Sequence, residues 1–196
     1  MKASIQKIEE VPYMPPLSGD GRYWKIVKKG KRIIPLLISL LDDTTMTNAH
    51  VRFWGGDYTV GDISLALFEE IIANFKVNDF ILHHDPQYDC PLNITSVYWC
   101  FVRSAPLNRT LLKQWVQAGY ASYADSLIWC QDTNLYFKRD FRLPSPVPEG
   151  EEEIFGKKRE ASNHVPKRYP HPARGFYLIK NAEYENFIEM KGCKCE

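Results

Sequence analysis

Two apolar segments separated by a polar and aromatic loop constrain this chain more than any other feature. Ile34, Leu37, Ile38 and Leu41 recur at three- and four-residue steps, and Leu36 and Leu40 widen the stripe until most of a helix circumference is apolar. Such a helix must be covered on several sides. Pro35 fits only a first turn, where its missing N–H has no intrahelical partner, so the spacing predicts a start at Ile33 or Ile34. The second segment opens on Thr59, whose hydroxyl can accept from the N–H of Asp62 while the Asp62 carboxylate reaches back. Thr59 is therefore the predicted N-cap. Val60, Ile63, Leu67 and Ile71 form one stripe, Leu65, Phe68 and Ile72 broaden it, and Ala66 permits close approach, with Glu69 and Glu70 left for solvent. The two segments predict a helix hairpin inside a mainly α domain.

Residues 34–43 and 60–72 together resemble the paired helices of HEAT-like repeats. The stretch Gly55-Gly56-Asp57-Tyr58-Thr59-Val60-Gly61-Asp62 is similar to one found before a helix in a group of small bacterial proteins. In that group a Trp-rich helical segment follows, to which Tyr98-Trp99 and residues 111–115 correspond. The resemblance implies a HEAT-like antiparallel hairpin and brings no catalytic residue with it. No second copy recurs at a fixed period, whereas solenoids stack three or more units.

A chain of 196 residues, 44% of them hydrophobic, suits one core. Its 25 basic and 24 acidic residues leave a formal charge of +1, without the excess of Lys and Arg that marks binders of nucleic acid or anionic membranes. The 11 Tyr and 5 Trp favour an aromatic-lined contact surface. Cys90, Cys100, Cys130, Cys193 and Cys195 form an odd set without paired metal-site spacing; free thiols are the first expectation, and one or two disulfides in an exported protein the alternative. No apolar run approaches the ~20 residues of a membrane span. No signal-peptide core is present, so the expectation is a cytoplasmic protein, or a periplasmic one or lipoprotein whose leader has been removed. Asn93-Ile94-Thr95 and Asn108-Arg109-Thr110 match the glycosylation sequon.

Four regions are expected. Pro12, Pro15 and Pro16 make residues 1–21 an extended arm. Residues 22–142 form the helical core domain, 143–170 an exposed loop rich in proline and charge, and 171–196 a segment packing back on the core. Within the core, Tyr23 to Lys29 is a short helix closed by Gly30, Val97 to Val102 is a buried helix or strand, and Leu107 to Tyr123 is an amphipathic helix. A few short β segments are expected in the C-terminal half, with Leu127 to Cys130 and Leu135 to Phe137 as a small hairpin.

No nucleophile elbow, phosphate loop or dinucleotide fingerprint occurs. Asp42, Asp43, Asp57 and Asp62 sit where two helices end and begin, and His83, His84, Asp85, Asp89 and Cys90 are ligand types in one loop. Capping and turn roles account for the same residues, and neither a metal nor a cofactor is expected. The loop between the central helices supplies the candidate partner-binding residues His50, Arg52, Trp54, Asp57 and Tyr58. Lys25, Lys28, Lys29, Lys31 and Arg32 form the most basic run, either a solvated face or a patch for an acidic partner. The reading is a non-catalytic protein–protein interaction module with a protein partner, specifically a bacterial immunity or inhibitor protein that binds a toxin or enzyme. The alternative is a metal-dependent hydrolytic enzyme using Asp and His of residues 43–62 and 83–89. Nucleic-acid binding ranks last.

Overall fold

A computed structural model describes residues 1–12, 20–51, 56–72, 75–92, 96–130 and 176–179. The fold is mainly helical, and its centre is α4 (Val60–Ile71), nine of whose twelve residues are buried. Against it pack α1 (Lys2–Gln6), α2 (Gly21–Val27) and α3 (Ile34–Ser39). The N-terminal arm is thus not wholly extended. Ile5 and Ile8 are fully buried, and the arm is tied to α2 by Asp20, which accepts from Glu9 N at 2.8 Å as well as capping α2 through Arg22 N and Tyr23 N. The expected helix starts hold: Pro35 lies in the first turn of α3, and Thr59 caps α4 with the full capping box.

The link between α3 and α4 is a β-hairpin in place of the expected loop, and it lies in the N-terminal half. β1 (Met46–His50) pairs antiparallel with β2 (Asp57–Thr59). The physical signal is the alternation along β1, where Thr47 and Ala49 face inward while Met46, Asn48 and His50 face solvent. This arrangement does not establish a HEAT-like repeat. Gly61 permits the close contact of α3 and α4. Its N–H donates to Asp43 O at 2.9 Å, and a Cβ there would run into the Leu41 carbonyl oxygen and lie 3.0 Å from the Leu41 carbonyl carbon. Both obstacles are backbone and cannot swing aside. Gly61→Ala is therefore expected to destabilise the fold by about 1–3 kcal/mol, the usual range for overpacking. An unchanged urea midpoint would show that the α3–α4 contact is slack.

The remaining helices are α5 (Val77–His84), α6 (Val97–Ser104) and α7 (Asn108–Tyr123). α5 packs on α6, and α6 on α7. His83 and His84 therefore end a helix and do not lie on a strand or loop. Glu69 is turned from solvent to the start of α5, accepting from Val77 N at 2.8 Å. β3 (Leu127–Cys130) pairs antiparallel with β4 (Phe176–Ile179); the expected Leu135–Phe137 segment lies outside the described residues, as do residues 143–170. β4 also bridges Ile72 through Tyr177, which holds this strand against the end of α4. Cys90 and Cys100 form a disulfide, correcting the expectation of free thiols for these two. Cys193, Cys195 and the Cys130 side chain lie outside what is described. Among the described residues no helix is long and apolar enough to cross a membrane.

Candidate functional site

Thr59 is both the last residue of β2 and the cap of α4, which places Asp62 in the first turn with its side chain only 2% exposed. Asp62 Oδ2 accepts from Thr59 N at 2.8 Å and from Thr59 Oγ1 at 2.7 Å. The other oxygen, Oδ1, accepts from the Tyr98 hydroxyl at 2.5 Å and from Arg109 Nη1 at 2.7 Å. Tyr98 comes from α6 and Arg109 from the first turn of α7. A cation is unfavourable at a helix N-terminus, so Arg109 is held there by the carboxylate and not by the helix field. Tyr98 also stacks edge-on with Trp99, whose ring lies 5.2 Å from the Arg103 guanidinium and 5.7 Å from the Tyr58 ring.

Burial and the Asp62 charge push the Tyr98 phenol well above its ordinary value of 10.0, with Arg109 pulling the other way. Burial also lowers the Arg109 guanidinium, but Tyr98 and Asp62 outweigh this and raise it. A carboxylate offers about four lone-pair sites, and four donors occupy those of Asp62. Those four bonds join three helices and a strand.

Tyr98 makes stability depend on alkaline pH. The unfolded phenol loses its proton near pH 10 while the folded one keeps it, so above that pH the unfolded chain binds fewer protons. The contribution is complete below pH 10.0 and declines as pH rises toward the folded value, by about 1.4 kcal/mol per unit. Tyr120 and Tyr123 are raised by burial in the same direction. Urea titrations between roughly pH 9 and 11 should show this slope, and Tyr98→Phe should reduce it. An identical slope in that variant would remove Tyr98 as its source.

The other candidate carboxylates do not combine into one site. Asp42 pairs with Lys113 at 2.8 Å, Asp43 with Lys2 at 2.7 Å and Asp57 with His50 at 2.5 Å. Burial raises the Asp43 carboxyl, but hydrogen bonds from Lys2 and Thr45 outweigh this and hold it below the ordinary value. His84 Nδ1 lies 3.0 Å from Phe80 O, which can only accept, so that nitrogen carries the proton; the ring stacks on Trp115 at 4.8 Å. Cys90 is committed to its disulfide. Among the described residues no three His, Cys, Asp or Glu side chains gather as a metal site would require. In the fold the Asn108 side chain is engaged, its Nδ2 donating to Phe101 O at 2.7 Å and to Ser104 Oγ at 3.0 Å.

Of the predicted partner-binding residues, His50 and Asp57 form an exposed pair at the hairpin, His50 with 81% of its side chain accessible. Tyr58 is turned inward, 9% exposed, and packs on Trp99. Arg52 and Trp54 lie outside the described residues. A surface that motif reading missed lies on α7. Its two charged residues are both engaged, Arg109 with Asp62 and Lys113, 26% exposed, with Asp42 and Ser39 O, and every exposed residue from 107 to 122 is uncharged. Leu107 at 77% and Leu111 at 36% head this face, followed by Gln114 and Ala118. The legible signal was the composition of residues 114–123, which contain no charge. No family model, curated protein or solved structure matches the chain.

Proposed function

We propose that the chain is a non-catalytic protein–protein interaction module whose contact surface is the outward face of α7. The observation that supports this reading is that both α7 charges are engaged by carboxylates of neighbouring segments, leaving the exposed residues of the helix uncharged. A solvent-facing helix ordinarily puts its charges outward, whereas the centres of protein interfaces are depleted of charge. The exposed His50–Asp57 pair belongs to the same proposal as a second contact. Within it, an immunity or inhibitor protein that occupies a toxin or enzyme is the specific form. A HEAT-like ancestry of the α3–α4 pair is part of the same reading and requires the β-hairpin to be an insertion. The Cys90–Cys100 disulfide supports an oxidising compartment over the cytoplasm.

A photo-crosslinking residue at Gln114 tests the surface directly. Crosslinking in cells of the native source should yield one protein partner, absent when the same group replaces the exposed Ala3 on α1. Leu111→Glu should abolish the crosslinked product while leaving the melting temperature within the small change expected of surface substitutions. A folded protein with no product at Gln114 would sink the assignment.

A further inference from the structure

We propose that Lys25, Lys28, Lys29, Lys31 and Arg32 form an electrostatic docking ridge for an acidic protein surface, beyond the uncharged face of α7 and chemically unlike it. The ridge runs from the end of α2 through a 3-10 turn at Gly30–Ile33. Lys25, Lys28, Lys29 and Arg32 are exposed and Lys31 half-buried, while Tyr23, Trp24, Ile26 and Ile33 on the other side enter the core.

Its charges are unpaired among the described residues. Elsewhere, Lys2, Arg22, Arg109 and Lys113 each reach a carboxylate, at 2.7, 3.3, 2.7 and 2.8 Å. None of the five ridge cations has an ion-pair partner among the described residues; Lys29 Nζ only approaches Met1 Sδ at 4.0 Å. The carbonyl end of α2 favours a cation or two, but not five within eight residues. The ridge is also held in place. Gly30 adopts φ +60, and the Tyr177 ring of β4 lies 3.4 Å from where its Cβ would be. The positive φ favours glycine at this turn, and the Tyr177 ring packs against it at ordinary contact distance.

The surroundings select the kind of partner. Single-stranded nucleic acid calls for exposed aromatic rings on which bases stack, and the aromatics of α2 are buried at 1% and 6%. An anionic membrane calls for apolar side chains beside the cations, and those of α2 likewise face the core. Duplex binding draws on a general basic excess, which a chain of net charge +1 lacks. A compact cationic ridge whose α2 aromatics are all buried suits the carboxylates of a protein, where it would speed and orient encounter.

The test uses the full chain and fluorescein-labelled poly-L-glutamate, followed by anisotropy. Binding is expected at about 20 mM NaCl and is expected to weaken strongly by about 300 mM, as screening predicts. Lys25→Gln/Lys28→Gln/Lys29→Gln should weaken it about tenfold, since exposed charge contacts are individually modest. The corresponding triple Lys→Arg variant should bind as the parent does. Neutralising Lys157, Lys158 and Arg159 should have little effect, as should Leu111→Glu, which separates this result from the fate of the α7 surface. Equal binding by the triple Gln variant overturns the proposal. Tighter binding of a mixed-sequence DNA duplex or of phosphatidylserine vesicles through the same lysines overturns it as well.

Discussion

Asp62→Ala is expected to lower the free energy of unfolding by about 3–5 kcal/mol, the range for breaking one half of a buried ion pair. Three losses combine. Arg109, with 12% of its side chain exposed, keeps its charge without a carboxylate. The Tyr98 hydroxyl loses its acceptor, and the capping box loses its Asp62 half, leaving Thr59 N without its partner while the Thr59 cap remains. The urea midpoint should fall with an unchanged denaturant slope, since the exposed surface on unfolding is nearly the same. Arg109→Met should restore part of the loss in the double variant, because an apolar side chain does not require a counter-charge. Simple additivity of the two changes would mean that Asp62 and Arg109 are energetically independent, contrary to their 2.7 Å contact.

Reduction of the Cys90–Cys100 disulfide should lower stability by about 3 kcal/mol, the chain-entropy value for a closed loop of roughly ten residues. The sulfurs join the segment after α5 to the middle of α6, at a sequence separation of 10. Tyr88 also holds this loop, stacking on Phe101 and reaching Ser104 Oγ at 3.3 Å, so reduction should loosen the loop without releasing the helices. For a chain of this size the melting temperature should drop by roughly 6–12 °C, with little change in far-UV circular dichroism. An unshifted melting curve would show that the two thiols are unpaired in solution.

The helix starts were legible because each depends on a local signal. Pro35 fixed one end of α3, and Thr59 with Asp62 fixed the start of α4. The partners of Asp62 were not legible, since Tyr98 and Arg109 arrive from positions 36 and 47 residues away and no local pattern ties them to it. β1 was hidden because Met46-Thr47-Asn48-Ala49-His50 alternates in burial without alternating strongly in hydrophobicity. The β4 partner of β3 was not legible either, since it arrives across a long stretch of chain with no local signal to tie the two. Cysteine counting failed similarly, because an odd total hides a pair whose proximity only the packing of α5 and α6 creates.

Thr59 has a consequence for how the molecule opens. It ends a strand and caps a helix, and its neighbours tie the same junction together: Val60 N donates to Thr45 O at 2.8 Å, and Thr47 Oγ1 donates to Tyr58 O at 2.7 Å. A hairpin attached by a free loop could fray by itself. This one cannot leave without uncapping α4, so its amides should exchange with solvent at the same free energy as those of the buried helix, and the two should unfold as a single cooperative unit.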